Sequence, residues 1–163
     1  ASRTTLQSFD WRVLKASQTL APGLPLSYLS AQLPRFNTLA EGDWTAGLKL
    51  ADFADAPGMV AAAGGKLWSP HFNDLSQATL ARARELGLRV IPWTVNDIAD
   101  MARLIDWGVD GLITDHPDRL RSVMQERGML LPPSVVRPAA SARVALPVPG
   151  PLPVRFGVAP DLR

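Results

Sequence analysis

The chain has 163 residues, 47% of them hydrophobic and 20% charged, a globular balance that excludes a wholly disordered or collagen-like protein. Its formal charge is +2, split as −1 over residues 1–127 and +3 over residues 128–163. The body is therefore near neutral, and the tail's arginines are too dispersed for a nucleic-acid surface. Cysteine is absent, which removes disulfides, thiolate nucleophiles and thiolate metal sites. No apolar run reaches the roughly 18 residues that a membrane span needs.

The opening ASRTTLQSFDW has no basic region followed by an apolar run, so no secretory leader is read there and a cytoplasmic setting is expected. TTLQSF reads as a strand, followed by a helix from Asp10 to about Ala21. PLSYLSA and KLWSPHF read as further strands, and a helix is expected around residues 44–53, before a Gly/Ala-rich connection to residue 65.

The pattern is clearest from Leu75 onward. Ser76 is placed to cap a helix through TLARARELG, in which Leu80, Ala83 and Leu86 recur at helical spacing. LRVIPWTV follows as a buried strand, then IADMARLIDW as a helix capped by Asn96 or Asp97, with Ile98, Met101 and Ile105 on one stripe. VDGLIT is the next strand. HPDRLRSVMQERG is the last helix, with Pro117 in its first turn and Leu120, Val123 and Met124 facing inward. Gly87, Gly108 and Gly128 stand where each helix should stop. Repeated strand–loop–helix units with short connections predict an α/β fold with parallel strands, about five units in all. Residues 129–163 hold all eight prolines of the last 36 positions, and predict a mostly extended tail.

Phosphate-loop, dinucleotide and nucleophile-elbow motifs are absent. His71 and His116 are single loop histidines beside proline, without the paired spacing of a metal site. Asp10, Asp97 and Asp115 follow strand ends, where ligands of such sheets gather, but cap and turn roles explain Asp97 and Asp115 equally well. No catalytic set and no metal ligand emerges from the residues alone. Trp93, near the end of a parallel strand, is the informative residue: it fills a core, or it forms an apolar wall where active-site loops begin. By the period-two rule Ile91 and Val95 should share its direction.

The run GLRVIPWTVNDIADMARLIDWGVDGLITDHPDRL, with Gln7-Ser8-Phe9-Asp10 upstream, resembles the C-terminal part of the glycerophosphodiester phosphodiesterase family. The likeness spans about residues 4–130, and its specific elements are Trp93-Thr94-Val95-Asn96 and Thr114-Asp115-His116-Pro117. It implies strands four to eight of a TIM-type (β/α)8 barrel over residues 1–128, with 129–163 as a separate tail. The family's His-Arg-Gly motif does not occur here, and neither His71 nor His116 inherits a catalytic role.

For the intact protein the resemblance implies metal-assisted hydrolysis of a glycerophosphodiester to an alcohol and glycerol 3-phosphate. The divalent metal (Mg or Ca) would be held by residues not in this chain. The missing N-terminal part of the barrel would be supplied in cis or as another chain, and this chain alone would be inactive. Trp93 is the expected apolar wall for substrate, with Phe9 and Gln7 beside it. Gln7 and Phe9 can share a pocket side that Ser8 cannot. The alternative is a non-catalytic half-barrel that binds or assembles, since a partial barrel exposes sheet edges. A relative of the phosphatidylinositol-specific phospholipases C is a third reading.

Overall fold

A computed structural model describes residues 4–133, of which 4–131 lie in one compact unit. The proline-rich stretch expected as a tail falls, from residue 134 on, outside the described residues. The elements in chain order are β1 (Leu6–Ser8), α1 (Trp11–Leu20), β2 (Leu26–Ser30), β3 (Gln32–Leu33), β4 (Phe36–Asn37), α2 (Ala56–Ala62), β5 (Leu67–Pro70), α3 (Gln77–Glu85), β6 (Arg89–Val90), α4 (Ile98–Trp107) and α5 (Pro117–Glu126).

Strands β1, β2, β5 and β6 form one parallel sheet in that order. Residues 109–114 lie beside β6 without forming a regular ladder. Asp110 N–H donates to Val90 C=O at 2.9 Å and Ile113 N–H to Pro92 C=O at 3.0 Å. The expected strand over 88–95 is likewise shorter, because Pro92 has no N–H to donate. Pairing with β5 nonetheless runs on through Ile91 and Trp93, whose N–H groups donate to Trp68 and Pro70. The predicted α/β fold with a parallel sheet is what forms.

Register sorts the side chains. Tyr28, Trp68 and Val90 stand level across the sheet and enter the core under the helices with Leu14, Met59 and Leu104. Burying side chains of this size is worth roughly 1.5–3 kcal/mol each. The aromatic polar atoms are satisfied: Trp68 Nε1 donates to Ser30 Oγ at 2.9 Å and Trp11 Nε1 to Leu29 C=O at 3.1 Å. Leu29, Leu67 and Ser69 alternate with this set and are also buried, on the opposite face of the sheet.

The caps are those the residue types favour. Asp10 caps α1, Ser76 and Thr79 form a capping box on α3, and Asp97, rather than Asn96, caps α4. Gly87, Gly108 and Gly128 all take positive φ just beyond α3, α4 and α5, where the left-handed conformation suits glycine.

Three expectations need correction. Residues 44–53 form turns and one short 3-10 segment, Leu50–Asp52; positive φ at Gly42, Ala46 and Gly47 interrupts any helix there. The helix lies later, where Asp55 caps Ala56–Ala62 and Pro57 occupies its first turn, within the stretch expected to be a connection. Ile98 is not on the buried stripe of α4: it is 52% exposed, while Met101 and Leu104 are fully buried.

Candidate functional site

Gln7, Phe9 and Trp93 line one cleft of about 180 Å³ with Leu29, Thr94 and Ile113. The cleft lies at the C-terminal end of the parallel strands, where loops carry the chemistry of such sheets. Alternation along β1 sends Gln7 and Phe9 to this side; Ser8 is turned to its own chain, its Oγ accepting from Asp10 N–H at 3.0 Å. A larger depression of about 610 Å³ lies elsewhere, beside α1, lined by Arg12, Lys15 and Asp43 among others. Position at the strand ends, not size, singles out the smaller cleft.

Phe9 and Trp93 meet edge to face, centroids 5.2 Å apart at 86°, the geometry that aromatic quadrupoles favour. The Trp93 indole N–H donates to Ser69 C=O at 2.8 Å. That bond fixes the ring's orientation and uses its single donor, leaving only ring carbon for a ligand. Val95 does not share Trp93's direction, contrary to the period-two expectation: it is fully buried in the core under the helices, whereas adjacent Trp93 and Thr94 both face the cleft. Regular strand geometry has ended by this point, and alternation ends with it.

Two aromatic neighbours were not legible in advance. Phe36 sits on β4 with its ring 5.4 Å from Phe9. The hairpin that carries it has two-residue strands, too short for any periodicity. His71 packs edge-on to Trp93 at 5.1 Å because the two residues form an isolated parallel bridge. Its Nδ1 accepts from Asn73 N–H at 3.2 Å, so His71 caps a turn and buttresses the tryptophan.

The carboxylates at the strand ends are otherwise engaged. Asp10 binds Arg12 through Nε and Nη2 at 2.8 and 2.7 Å, and this guanidinium holds its carboxyl below the ordinary aspartate range. Asp97 accepts from Ala99 and Asp100 N–H, and Asp115 from the Asn96 amide at 2.9 Å. His116 stands at the start of α5 without a side-chain cap bond. Among the described residues no three His, Asp or Glu side chains gather in a way that could hold a metal ion. These residues do not fit a divalent cation. The cleft has no ionisable lining group, so it can offer apolar contact, one amide and one hydroxyl, but neither general acid nor base.

Comparison with known proteins identifies the family and the fold. A glycerophosphodiester phosphodiesterase of Bacillus subtilis (strain 168) is 32% identical over 118 residues, covering 72% of this chain and 35% of the relative. The crystal structure of a candidate glycerophosphoryl diester phosphodiesterase from Silicibacter pomeroyi superposes with a TM-score of 0.65 at 39% identity, over 78% of this chain and 39% of that one. A phosphodiesterase from Oleispira antarctica, solved with the product sn-glycerol-3-phosphate, shares the fold at TM-score 0.56 and 16% identity, over 77% and 44% of the two chains. The chain thus spans little more than a third to under half of these relatives. Residues 1–119 match the glycerophosphoryl diester phosphodiesterase family, and the chain belongs to that family.

Proposed function

We propose that this chain is part of an enzyme that hydrolyses a glycerophosphodiester to an alcohol and glycerol 3-phosphate, and that it supplies one wall of the substrate pocket. In this reading the five parallel segments are consecutive units of a (β/α)8 barrel occupying residues 1–128. Residues 129–163 are a separate extension, and the remaining three units come from the same polypeptide or another chain. The observation that carries it is the cleft shared by Gln7, Phe9 and Trp93, at the strand ends of a chain of this family and without any titratable group.

Such a wall positions and desolvates. Trp93 and Phe9 would pack against the glycerol or alcohol group, Gln7 would hydrogen-bond a hydroxyl, and exclusion of water strengthens charge interactions elsewhere in the pocket. Hydrolysis breaks the bond between phosphorus and the leaving alcohol's oxygen, and water supplies the new P–O bond and the alcohol's proton. The groups that move protons belong, in this reading, to the part of the barrel outside these residues. The divalent ion implied by the resemblance finds no fitting ligand set here, so no step is assigned to it. That the Oleispira protein was solved with glycerol 3-phosphate supports the substrate class. The reading is of a cytoplasmic enzyme without nucleic-acid partners; no helix among the described residues is long and apolar enough to cross a membrane.

The test is the kinetics of Trp93→Ala and Trp93→Phe in the enzyme assembled from all its parts. Trp93→Ala should lower kcat/KM for a glycerophosphodiester about tenfold or more, and Trp93→Phe should recover much of the loss. Equal kinetics in all three proteins would remove Trp93 from the pocket. Absence of hydrolysis in the assembled wild type would leave the non-catalytic assembly module as the better account, which the open sheet edges favour.

A further inference from the structure

We propose that Phe36 is a specificity-determining residue beside the cleft, and that the substrate's leaving alcohol is apolar, an alkyl or aryl group laid along the rings from Trp93 to Phe36. The inference rests on the hydrolytic reading above and names the class of alcohol that this wall selects.

The rings form one row. Phe36 meets Phe9 at 5.4 Å and 74°, Phe9 meets Trp93 at 5.2 Å and 86°, Trp93 meets His71 at 5.1 Å and 87°, and His71 tilts over Phe72 at 4.9 Å. Single exposed hydrophobic side chains are commonplace. Phe36 differs from them: it is 40% exposed at the end of this row, just outside the cleft that Phe9 and Trp93 line. Its ring therefore carries the apolar surface of the cleft outward. The cleft itself, at about 180 Å³, is smaller than the roughly 300–1,000 Å³ that encloses a drug-sized ligand. It holds part of a diester, and a substituent that leaves it along the row next meets Phe36.

The hairpin that carries Phe36 is braced. Thr38 N–H donates to Ala31 C=O at 2.8 Å and Ala31 N–H to Thr38 Oγ1 at 3.1 Å, which closes its base, and Thr38 and Leu39 are buried. Gln32, on the strand paired with that of Phe36, donates its N–H to Asp74 Oδ2 at 2.8 Å. Asp74 N–H in turn donates to His71 C=O at 2.9 Å. One residue thus ties the hairpin to the far end of the ring row. A ring whose support is fixed in this way can discriminate between ligands, because its position does not yield to each of them.

Charge selects the alcohol. Quaternary ammonium groups also favour aromatic faces, but the carboxylates along this row are engaged: Asp74 accepts from Gln32 and Asp10 from Arg12. Arg35, next to Phe36 in the turn, pairs with no carboxylate among the described residues. An ammonium over Phe36 would lie near this cation with no free carboxylate to offset it. An apolar group gains the ring contact without that repulsion.

The test has two arms. In the first, kcat/KM of the assembled enzyme is measured for the benzyl ester of glycerol 3-phosphate and for glycerophosphoethanolamine, which both release an alkoxide, so that the comparison reads recognition of the alcohol. Phe36→Ala should lower the ratio of benzyl to ethanolamine values about tenfold or more, and Phe36→Tyr should restore most of it. A role limited to supporting Phe9 would depress both values together, so an unchanged ratio would overturn the proposal. In the second arm, benzyl alcohol and choline are titrated into the full chain and followed by the ring proton resonances of Phe36 and Phe9. Benzyl alcohol should shift them saturably and choline should not; shifts no larger with benzyl alcohol than with choline would also overturn it. Binding of benzyl alcohol along the row, in an assembled enzyme that hydrolyses neither diester, would uphold the site for an apolar alcohol and sink the hydrolytic reading, so the two failures are separable.

Discussion

Asn96 holds Asp115 across two successive strand ends: its Nδ2 donates to Asp115 Oδ2 at 2.9 Å and its Oδ1 accepts from Asp115 N–H at 3.0 Å. The same oxygen accepts from Thr114 Oγ1 at 3.2 Å, and Asn96 C=O accepts from Arg119. One amide thereby sets the loop after Trp93 and Thr94 against the loop after Ile113, and these three residues line the cleft. The likeness between the two strand ends in sequence has this physical content: each supplies half of one hydrogen-bonded staple.

Asn96→Ala removes three side-chain hydrogen bonds at a partly exposed site, at a net cost of about 1–3 kcal/mol. Asn96→Asp should cost at least as much near neutral pH, because it sets a second carboxylate against Asp115. Urea unfolding of the three proteins checks both statements. An Asn96→Asp variant as stable as the wild type would show that the staple is not a significant contributor.

The two central tryptophans should part company on truncation. Trp68 is fully buried and its indole N–H is bonded to Ser30, so Trp68→Ala should destabilise by roughly 3–5 kcal/mol. Trp93 is half-buried at the cleft, and Trp93→Ala should cost less than about 2 kcal/mol. Equilibrium unfolding separates them; a Trp93 loss equal to that of Trp68 would assign it to the core.

Glycine positions distinguish strain from crowding. At Gly87, φ is +71° and a Cβ would meet nothing within 4 Å, so Gly87→Ala should cost about 1–2 kcal/mol, the penalty of the left-handed conformation alone. At Gly65 a Cβ would lie 2.6 Å from Val60 Cγ1 and 2.8 Å from Val60 C=O. Backbone must shift to admit it, so Gly65→Ala should cost about 1–3 kcal/mol. Gly65→Ala,Val60→Ala relieves the side-chain contact and leaves the carbonyl contact, and should recover only part of the loss.

Acid sensitivity has two sources with a definite sign. Arg127 binds Asp106 at 2.8 and 3.0 Å and holds its carboxyl below the ordinary range, as Arg12 does for Asp10. A carboxyl whose value is depressed by folding stabilises above its unfolded value, near about 4, and that stability is lost as pH falls through the folded value. Both pairs are exposed to solvent, so the effect should be small and reduced by salt. Asp106→Asn and Asp10→Asn should both melt lower near neutral pH and lose less than wild type as pH falls below about 4. Asparagine serves as well as aspartate as a helix cap, so the Asp10 variant isolates the ion pair. A melting profile parallel to the wild type across this range would contradict the assignment.

How much of this was legible in the sequence varied with how local the signal was. The helices after Leu75, the caps at Ser76 and Asp97, and the stops at Gly87, Gly108 and Gly128 follow from single-residue conformational preference, and all formed, whereas the strand expected over 109–114 did not form as a regular strand. The segment between β4 and β5 was misread. Its helix has seven residues and includes Gly58 and three alanines, so it carries little periodicity, and the signals that place it are Asp55 and Pro57 alone. At the cleft, the parity of β1 correctly brought Gln7 and Phe9 to one side. Phe36 and His71 were not legible because a two-residue hairpin and an isolated bridge bring them there, and both are tertiary events.

The central claim is that this chain is one wall of a glycerophosphodiester hydrolase whose proton-moving groups lie on the rest of the barrel. Release of glycerol 3-phosphate from a glycerophosphodiester, measured with magnesium or calcium on the purified chain and on its complex with the complementing units, tests it most directly. The account predicts release by the complex and none by the chain alone. Release by the chain alone at the rate of the complex would contradict it, since the catalytic groups would then have to lie within these 163 residues.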